Sequence, residues 1–336
     1  MSESPPRICR VYSRMDMGGA ENAILQLLQE IDSTHMVVTH LEGMRAPQAR
    51  EAAERYTFLE GPRFAPLMAA MAEAQITHLH TINDHLLGPL AALLSGARHI
   101  IHTVHNDFQP LACSLVDHSI VVGKTLLSQI STPGRATFIP NGVGVPDALP
   151  EFRLWCEPGE ERPLRIVELR RPDKLMSTTL DQIAASGALD GLDYEGVGIG
   201  FETPSSDPRI RNIGPLSDPY PELARADILV MGTTTETFGR TVYEAMAWGA
   251  LPVATPIPAF REVFSDEEVD YFSGHNPETS AREFRQIIAK IEANPEGYRT
   301  RRVSNHRRVL ECFDIRTMAG RTNALYDWLE TQPPPP

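Results

Sequence analysis

Glu236 and Glu244 stand eight residues apart within the stretch Ala226–Glu262, ADILVMGTTTETFGRTVYEAMAWGALPVATPIPAFRE. Its pattern predicts a buried strand over Ile228–Met231, a polar loop, a helix opening near Gly239, and a second short strand over Leu251–Ala254. The first amides of a helix lack intrahelical partners, so a helix start among small residues is an anion site. Glu244 falls about five residues into this helix, ~7 Å along an axis that rises ~1.5 Å per residue. A carboxylate there does not suit the anion itself. It suits the hydroxyls of a sugar or ribose attached to that anion.

Three other clusters carry glycine, charge or imidazole where loops leave predicted strands. Met17-Gly18-Gly19-Ala20-Glu21 opens the first helix, and paired glycines let backbone pass close to a ligand. Glu42, at the end of the second strand, is placed like a ribose-binding acid of a dinucleotide fold, but the G-x-G-x-x-G pattern is absent. Without a ligand the same loop is a tight strand-to-helix turn. Leu169-Arg170-Arg171-Pro172-Asp173-Lys174 follows a later strand. Two arginines and a lysine there suit a diphosphate, or else form a solvated basic turn. Histidines crowd 78–118 (His78, His80, His85, His99, His102, His105, His118). No acidic partner sits at familiar ligand spacing, so strand-end histidines lining a polar cleft are expected rather than a metal site. His105 is singled out because it follows the strand HIIHTV, at the carboxyl edge of a parallel sheet.

The elements needed to hold these residues are legible as alternating apolar runs and amphipathic segments, the pattern of a parallel α/β sheet. Strands are expected at 8–13, 36–41, 76–81, 99–104, 119–123 and 138–139, with helices at 20–31, 46–54 and 86–95. Residues 142–163, rich in Pro, Gly and Glu, read as a linker. A second series follows: a strand at 164–169, a helix at 178–188, a weak strand at 194–197 and the segment described first. Charged helices at 279–293, 298–312 and 316–330 precede a PPPP tail expected to be disordered. The domains are therefore set at 1–141, 164–315, and 316–336 as a helix returning to the first half.

The chain has 336 residues and is 42% hydrophobic, enough for two domains of ordinary size. A net charge of -13 argues against nucleic acid or an anionic membrane as the main partner. Residues 1–150 hold 10 Lys or Arg against 14 Asp or Glu, which offers no electrostatic reason for membrane docking. Four scattered cysteines form no CxxC pair and read as reduced thiols. MSESPPRICR lacks the features of a secretory signal, and a cytoplasmic location is expected.

Taken together, GGAEN, HTVHNDF, SIVVG, FIPNGV, PDK and above all ETFGRTVYEAMAWGALPVA resemble retaining glycosyltransferases of the GT-B fold, family 4. The resemblance covers nearly the whole chain, and E-x7-E is its most specific part. It implies two Rossmann-like domains facing across a cleft, closing by hinge motion. It implies that Glu236 binds donor-sugar hydroxyls and Glu244 the ribose. The amides of Phe238, Gly239, Arg240, Thr241 and Val242 would meet the sugar and diphosphate. Lys174 with Arg170 or Arg171 would neutralise the diphosphate, Gly18 and Gly19 would lie beside phosphate and acceptor, and His105 would face the transferred sugar. The family pattern has arginine where Leu169 stands here, and a glycine pair where Pro258-Ala259 stand. The implied reaction is metal-independent transfer with retention from a nucleotide-diphospho-sugar, UDP being the expected nucleotide, with no further cofactor. A soluble acceptor is expected, a natural-product or antibiotic-biosynthesis intermediate or an oligosaccharide. The alternatives are a GT-B-fold sugar-nucleotide epimerase or phosphorylase, or an inactive sugar-nucleotide-binding partner subunit.

Overall fold

The computed structural model describes residues 7–12, 19–31, 35–39, 57–60, 64–80, 87–105, 113–127, 130, 135–151, 153–169, 179–274 and 276–332. Gly18, Glu42, His85, Asn106, Arg170, Arg171, Lys174, the helix expected at 46–54 and the PPPP tail lie outside the described residues. The chain divides into two compact units, one made of 1–142 with 315–336, the other of 143–314.

The first unit holds β1 (Ile8–Tyr12), α1 (Gly19–Glu30), β2 (His35–Thr39), β3 (Thr57–Glu60), α2 (Phe64–Glu73), β4 (Ile76–His80), α3 (Leu87–Ser95), β5 (His99–Val104), β6 (His118–Val121), α4 (Lys124–Leu127) and β7 (Ala136–Phe138). Its strands form one parallel sheet in the order β3-β2-β1-β4-β5-β6-β7. The order reverses between β1 and β4, the kind of switch point at whose carboxyl side open sheets take ligands. Alternate residues of each strand face opposite ways. Ile8, Ile76 and Ile101 pack on one face with Leu27 of α1 and with Met318, Tyr326 and Leu329 near the C-terminus. Cys9, Val11, Leu79 and Ile100 pack on the other with Leu67 and Met71 of α2 and Ala91 of α3.

The second unit holds β8 (Leu164–Leu169), α5 (Thr179–Ala185), β9 (Tyr194–Ile199), β10 (Ile210–Asn212), α6 (Tyr220–Arg225), β11 (Ile228–Met231), α7 (Arg240–Trp248), β12 (Leu251–Ala254), α8 (Pro258–Arg261), β13 (Asp270–Tyr271), α9 (Pro277–Ala293) and α10 (Pro295–Cys312). The last helix, α11 (Ile315–Glu330), returns to the first unit. The second sheet is also parallel, in the order β10-β9-β8-β11-β12-β13. Ile228 and Val230 face a core filled by Phe284, Ile288 and Ile291 of α9, while Leu229 faces Leu223 of α6 and Ala245 of α7. The 142–163 stretch, expected to be a linker, belongs to the second unit from residue 143 onward and is anchored in it: Leu154 is fully buried in this core, and Glu157 Oε1 accepts from the Leu154 amide at 3.0 Å. Its apolar positions are too few to show a period, which is why composition alone suggested a spacer. Among the described residues no helix is long and apolar enough to cross a membrane.

Candidate functional site

In the second unit β8 and β11 are neighbours, with Ile166 opposite Ile228, and the strand order reverses between them. The segment that begins at Arg170 leaves the end of β8, and the 232–239 loop leaves the end of β11. The ends of these two strands, Leu169 and Met231, thus lie side by side at a switch point although some sixty residues of chain separate them.

The 232–239 loop is pinned by threonines, one of its own and two from outside it. Thr255 Oγ1 donates to Thr233 O, Thr233 Oγ1 donates to Thr235 O at 3.1 Å, and Thr179 Oγ1 donates to Gly232 O at 3.4 Å. Gly239 ends the loop as the N-cap of α7 at φ 70° and ψ 51°, a left-handed conformation that costs a residue with a Cβ ~1–2 kcal/mol. A Cβ there would also overlap the ring of Phe260. Phe238 is buried and stacks on Tyr243 with ring centroids 4.2 Å apart. Its side chain belongs to the core, which leaves only its backbone to face a ligand.

The helix starts on either side of the switch point differ. Buried Glu168 of β8 accepts from Thr179 N at 3.1 Å and Leu180 N at 2.9 Å, so a carboxylate of the chain fills the start of α5. The N-cap of α7 is Gly239, which has no side chain to place there. Val242 N donates to Gly239 O at 3.1 Å, so that amide is engaged within the chain. The far end of α7 is held by α10: Arg302 Nε donates to Gly249 O, and His306 Nδ1 lies 2.8 Å from Ala247 O. Burial pushes the Arg302 guanidinium down to about 10.

Glu244 is buried inside α7 and accepts from Arg240 Nε at 2.8 Å, one turn earlier. Burial opposes charge on Arg240, but the Glu244 carboxylate and the Tyr220 hydroxyl raise its pKa above the ordinary arginine value. An ionised carboxylate accepts about four hydrogen bonds, so fixing one oxygen orients the group and leaves capacity for hydroxyls. Glu236 is half-buried in the loop ahead of the helix, and Thr241 is half-buried in its first turn. The structure therefore brings Glu236, Phe238, Gly239, Arg240, Thr241, Val242 and Glu244 together around one helix start. The Arg240–Glu244 pair was not foreseen, although the i, i+4 spacing of opposite charges is its signal.

Gly19 begins α1 after β1 in the first unit. His105 follows β5 and is buried, with Nε2 3.1 Å from His80 Nδ1. His78, His80, His99, His102 and His118 are likewise buried, which corrects the expectation that they line a polar cleft. His78 and His80 contact Arg10, a fully buried arginine of β1 that sequence reasoning passed over. A lone arginine inside the apolar run ICRVY was the available signal. A guanidinium donor occupies the His80 lone pair that a metal would need. Among the described residues no His, Cys, Asp and Glu side chains group as a metal site.

Residues 199–290 match the family model described as Glycosyl transferases group 1. No curated protein sequence is significantly similar to the chain. Among solved structures, a glycosyltransferase from Rickettsia africae superposes with a TM-score of 0.75 at 14% identity, over 97% of this chain and 99% of that one. HepE of Anabaena, in complex with UDP and glucose, gives 0.73 at 14% identity, over 96% and 99%. Sucrose-phosphate synthase from Thermosynechococcus elongatus gives 0.67 at 15% identity, over 96% and 99%. The fold is that of GT-B glycosyltransferases.

Proposed function

We propose that the protein is a retaining glycosyltransferase of family 4 that moves a sugar from a UDP-sugar to an acceptor hydroxyl without a metal. The observation that carries this reading is the start of α7 at the β8/β11 switch point, N-capped by Gly239 in a left-handed conformation, with Glu244 held by Arg240 one turn inside. The helix start takes diphosphate oxygens, Glu244 takes ribose hydroxyls, and Glu236 takes hydroxyls of the sugar. Lys174 with Arg170 or Arg171, from the segment after β8, neutralises the charge that builds on the leaving diphosphate. The bond from the anomeric carbon to the phosphate oxygen breaks as the bond to the acceptor oxygen forms on the same face. The acceptor proton goes to the departing phosphate oxygen, leaving UDP. The family match over 199–290 and the UDP-bound neighbour support both the reaction class and the nucleotide. The acidic balance of residues 1–150 supports an acceptor away from anionic membrane, a natural-product or antibiotic intermediate or an oligosaccharide.

UDP is expected to raise the unfolding midpoint, and to do so more than ADP, GDP or dTDP, because a ligand bound only by the folded form stabilises it. Glu244→Ala should weaken UDP about tenfold or more, the value of a charge-assisted hydrogen bond. Acceptor-dependent UDP release measures the reaction itself. Turnover unchanged in both Glu244→Ala and Lys174→Ala would refute the site.

A further inference from the structure

The face of the first sheet that α11 covers changes character along its strands. Strand parity places Ile8 and Arg10 of β1, Ile76, His78 and His80 of β4, and Ile101, Thr103 and His105 at β5 on that one face. Ile8 and Ile76, toward the amino ends, and Ile101, opposite His78, join the apolar cluster with α11. Farther along, the face turns polar yet stays buried: Arg10 is 0% exposed, His78 1%, His80 2% and His105 6%. Donors and acceptors buried in this way must match one another.

Arginine settles the matching, because a guanidinium only donates. Arg10 Nη1 lies 3.1 Å from His80 Nε2, so that nitrogen accepts and the neutral ring carries its proton on Nδ1. His80 Nδ1 lies 3.1 Å from His105 Nε2, so His80 donates there and the His105 proton sits on its own Nδ1. A second branch agrees. Arg10 Nη2 donates to the Tyr326 hydroxyl at 2.6 Å, that hydroxyl donates to His78 Nδ1 at 2.6 Å, and His78 Nε2 donates to Thr103 Oγ1 at 2.7 Å. Burial, and after it the neighbouring His78 and Arg10, hold His80 well below the usual histidine range, and burial takes His105 down to about 3. Both rings are therefore neutral near pH 7. Nδ1 of His105 meets no partner among the described residues.

We propose that Arg10 and His80 are positioning residues that hold His105 in its Nδ1–H tautomer, presenting one buried donor to a ligand oxygen at the carboxyl edge of the first sheet. On the transferase reading, on which this half of the proposal rests, that oxygen is a carbohydrate hydroxyl. His105 is then a donor and not the base that deprotonates the acceptor: its Nε2 lone pair is engaged by His80, and its Nδ1 already holds a proton.

Long-range 1H–15N spectra of the full-length protein, labelled at histidine, read the tautomer directly. The wild type should show a protonated Nδ1 and a bare Nε2 at His105. His80→Asn keeps a donor toward His105 and should preserve that pattern. His80→Asp keeps a partner for Arg10 but only accepts, so it should move the His105 proton to Nε2. Turnover should fall at least about tenfold further in His80→Asp than in His80→Asn, the worth of one hydrogen bond in a buried site. UDP affinity, a property of the second unit on this reading, should be the same in both variants. A wild-type His105 protonated on Nε2, or an unmoved proton in His80→Asp, overturns the relay. A moved proton with equal turnover in the two variants overturns the role toward the ligand. If UDP fails to stabilise the wild type, the transferase reading falls, while the spectra still decide the tautomer.

Discussion

Gly239 is the residue on which the candidate site turns most sharply. Its positive φ and the Phe260 ring against its missing side chain act independently. Gly239→Ala should therefore cost about 2–4 kcal/mol, adding left-handed strain to overpacking, which urea unfolding would measure. Glu244→Gln keeps the shape but removes the charge that faces buried Arg240. Leaving one member of a buried pair unmatched costs about 3–5 kcal/mol. A double-mutant cycle with Arg240→Met should recover most of that loss, and full additivity would show that the two side chains do not couple. Histidine sets the pH response. His80 and His105 have folded pKa values below the ordinary 6.5, so beneath that pH the unfolded chain binds protons that the folded chain does not. Their contribution to stability is then complete above pH ~6.5 and falls as pH drops toward about 3, by up to ~1.4 kcal/mol per pH unit for each ring. Replacing His105 with Asn should flatten the fall in urea midpoint between pH 7 and 5, and an unchanged slope would mean that the ring titrates normally when folded.

At the scale of elements, α7 is anchored at its C-terminal end by side chains of α10 and begins at a glycine N-cap. Arg302→Met removes the donor to Gly249 O and should destabilise the protein by about 1–3 kcal/mol, the cost of stranding a buried carbonyl, as read by chemical denaturation. Elements around the site were legible because their signals are local. β5, β8, β11 and β12 carry the limits their apolar runs predicted, and Gly239 does cap α7. Others escaped detection for physical reasons. β10 has 3 residues and α8 has 4, too short for a period to repeat. α2, FAPLMAAMAE, lacks a polar face over most of its length, so the amphipathic pattern that marks a helix is missing. The Arg10 network was invisible from any one strand, since its hydrogen bonds join residues 68 and 316 positions apart.

The first unit is built from both ends of the chain. Met318, Tyr326 and Leu329 of α11 are buried against Ile8, Leu27 and Ile76. Each such side chain contributes about 1.5–3 kcal/mol, so together they approach the whole stability of a typical domain, ~5–15 kcal/mol. A chain ending at residue 314 should lose the cooperative unfolding of the first unit and bind a hydrophobic dye. The second unit, which holds all of 143–314, should keep its own transition. A single unaltered transition in calorimetry would contradict this division.

Strand parity, the alternation of strands and helices, and the E-x7-E spacing are local properties, and the sequence by itself determined them. It therefore set a parallel α/β architecture, a helix start flanked by acids, and the polar parity of β4 and β5. Strand order and register are non-local, and only the tertiary structure decided them. That is what puts β8 beside β11, so that two strand ends distant in the chain lie at one switch point. It is also what sets Arg10 opposite His78 and under Tyr326, because pairing across a sheet depends on which strand lies alongside and leaves no trace in the spacing along either one.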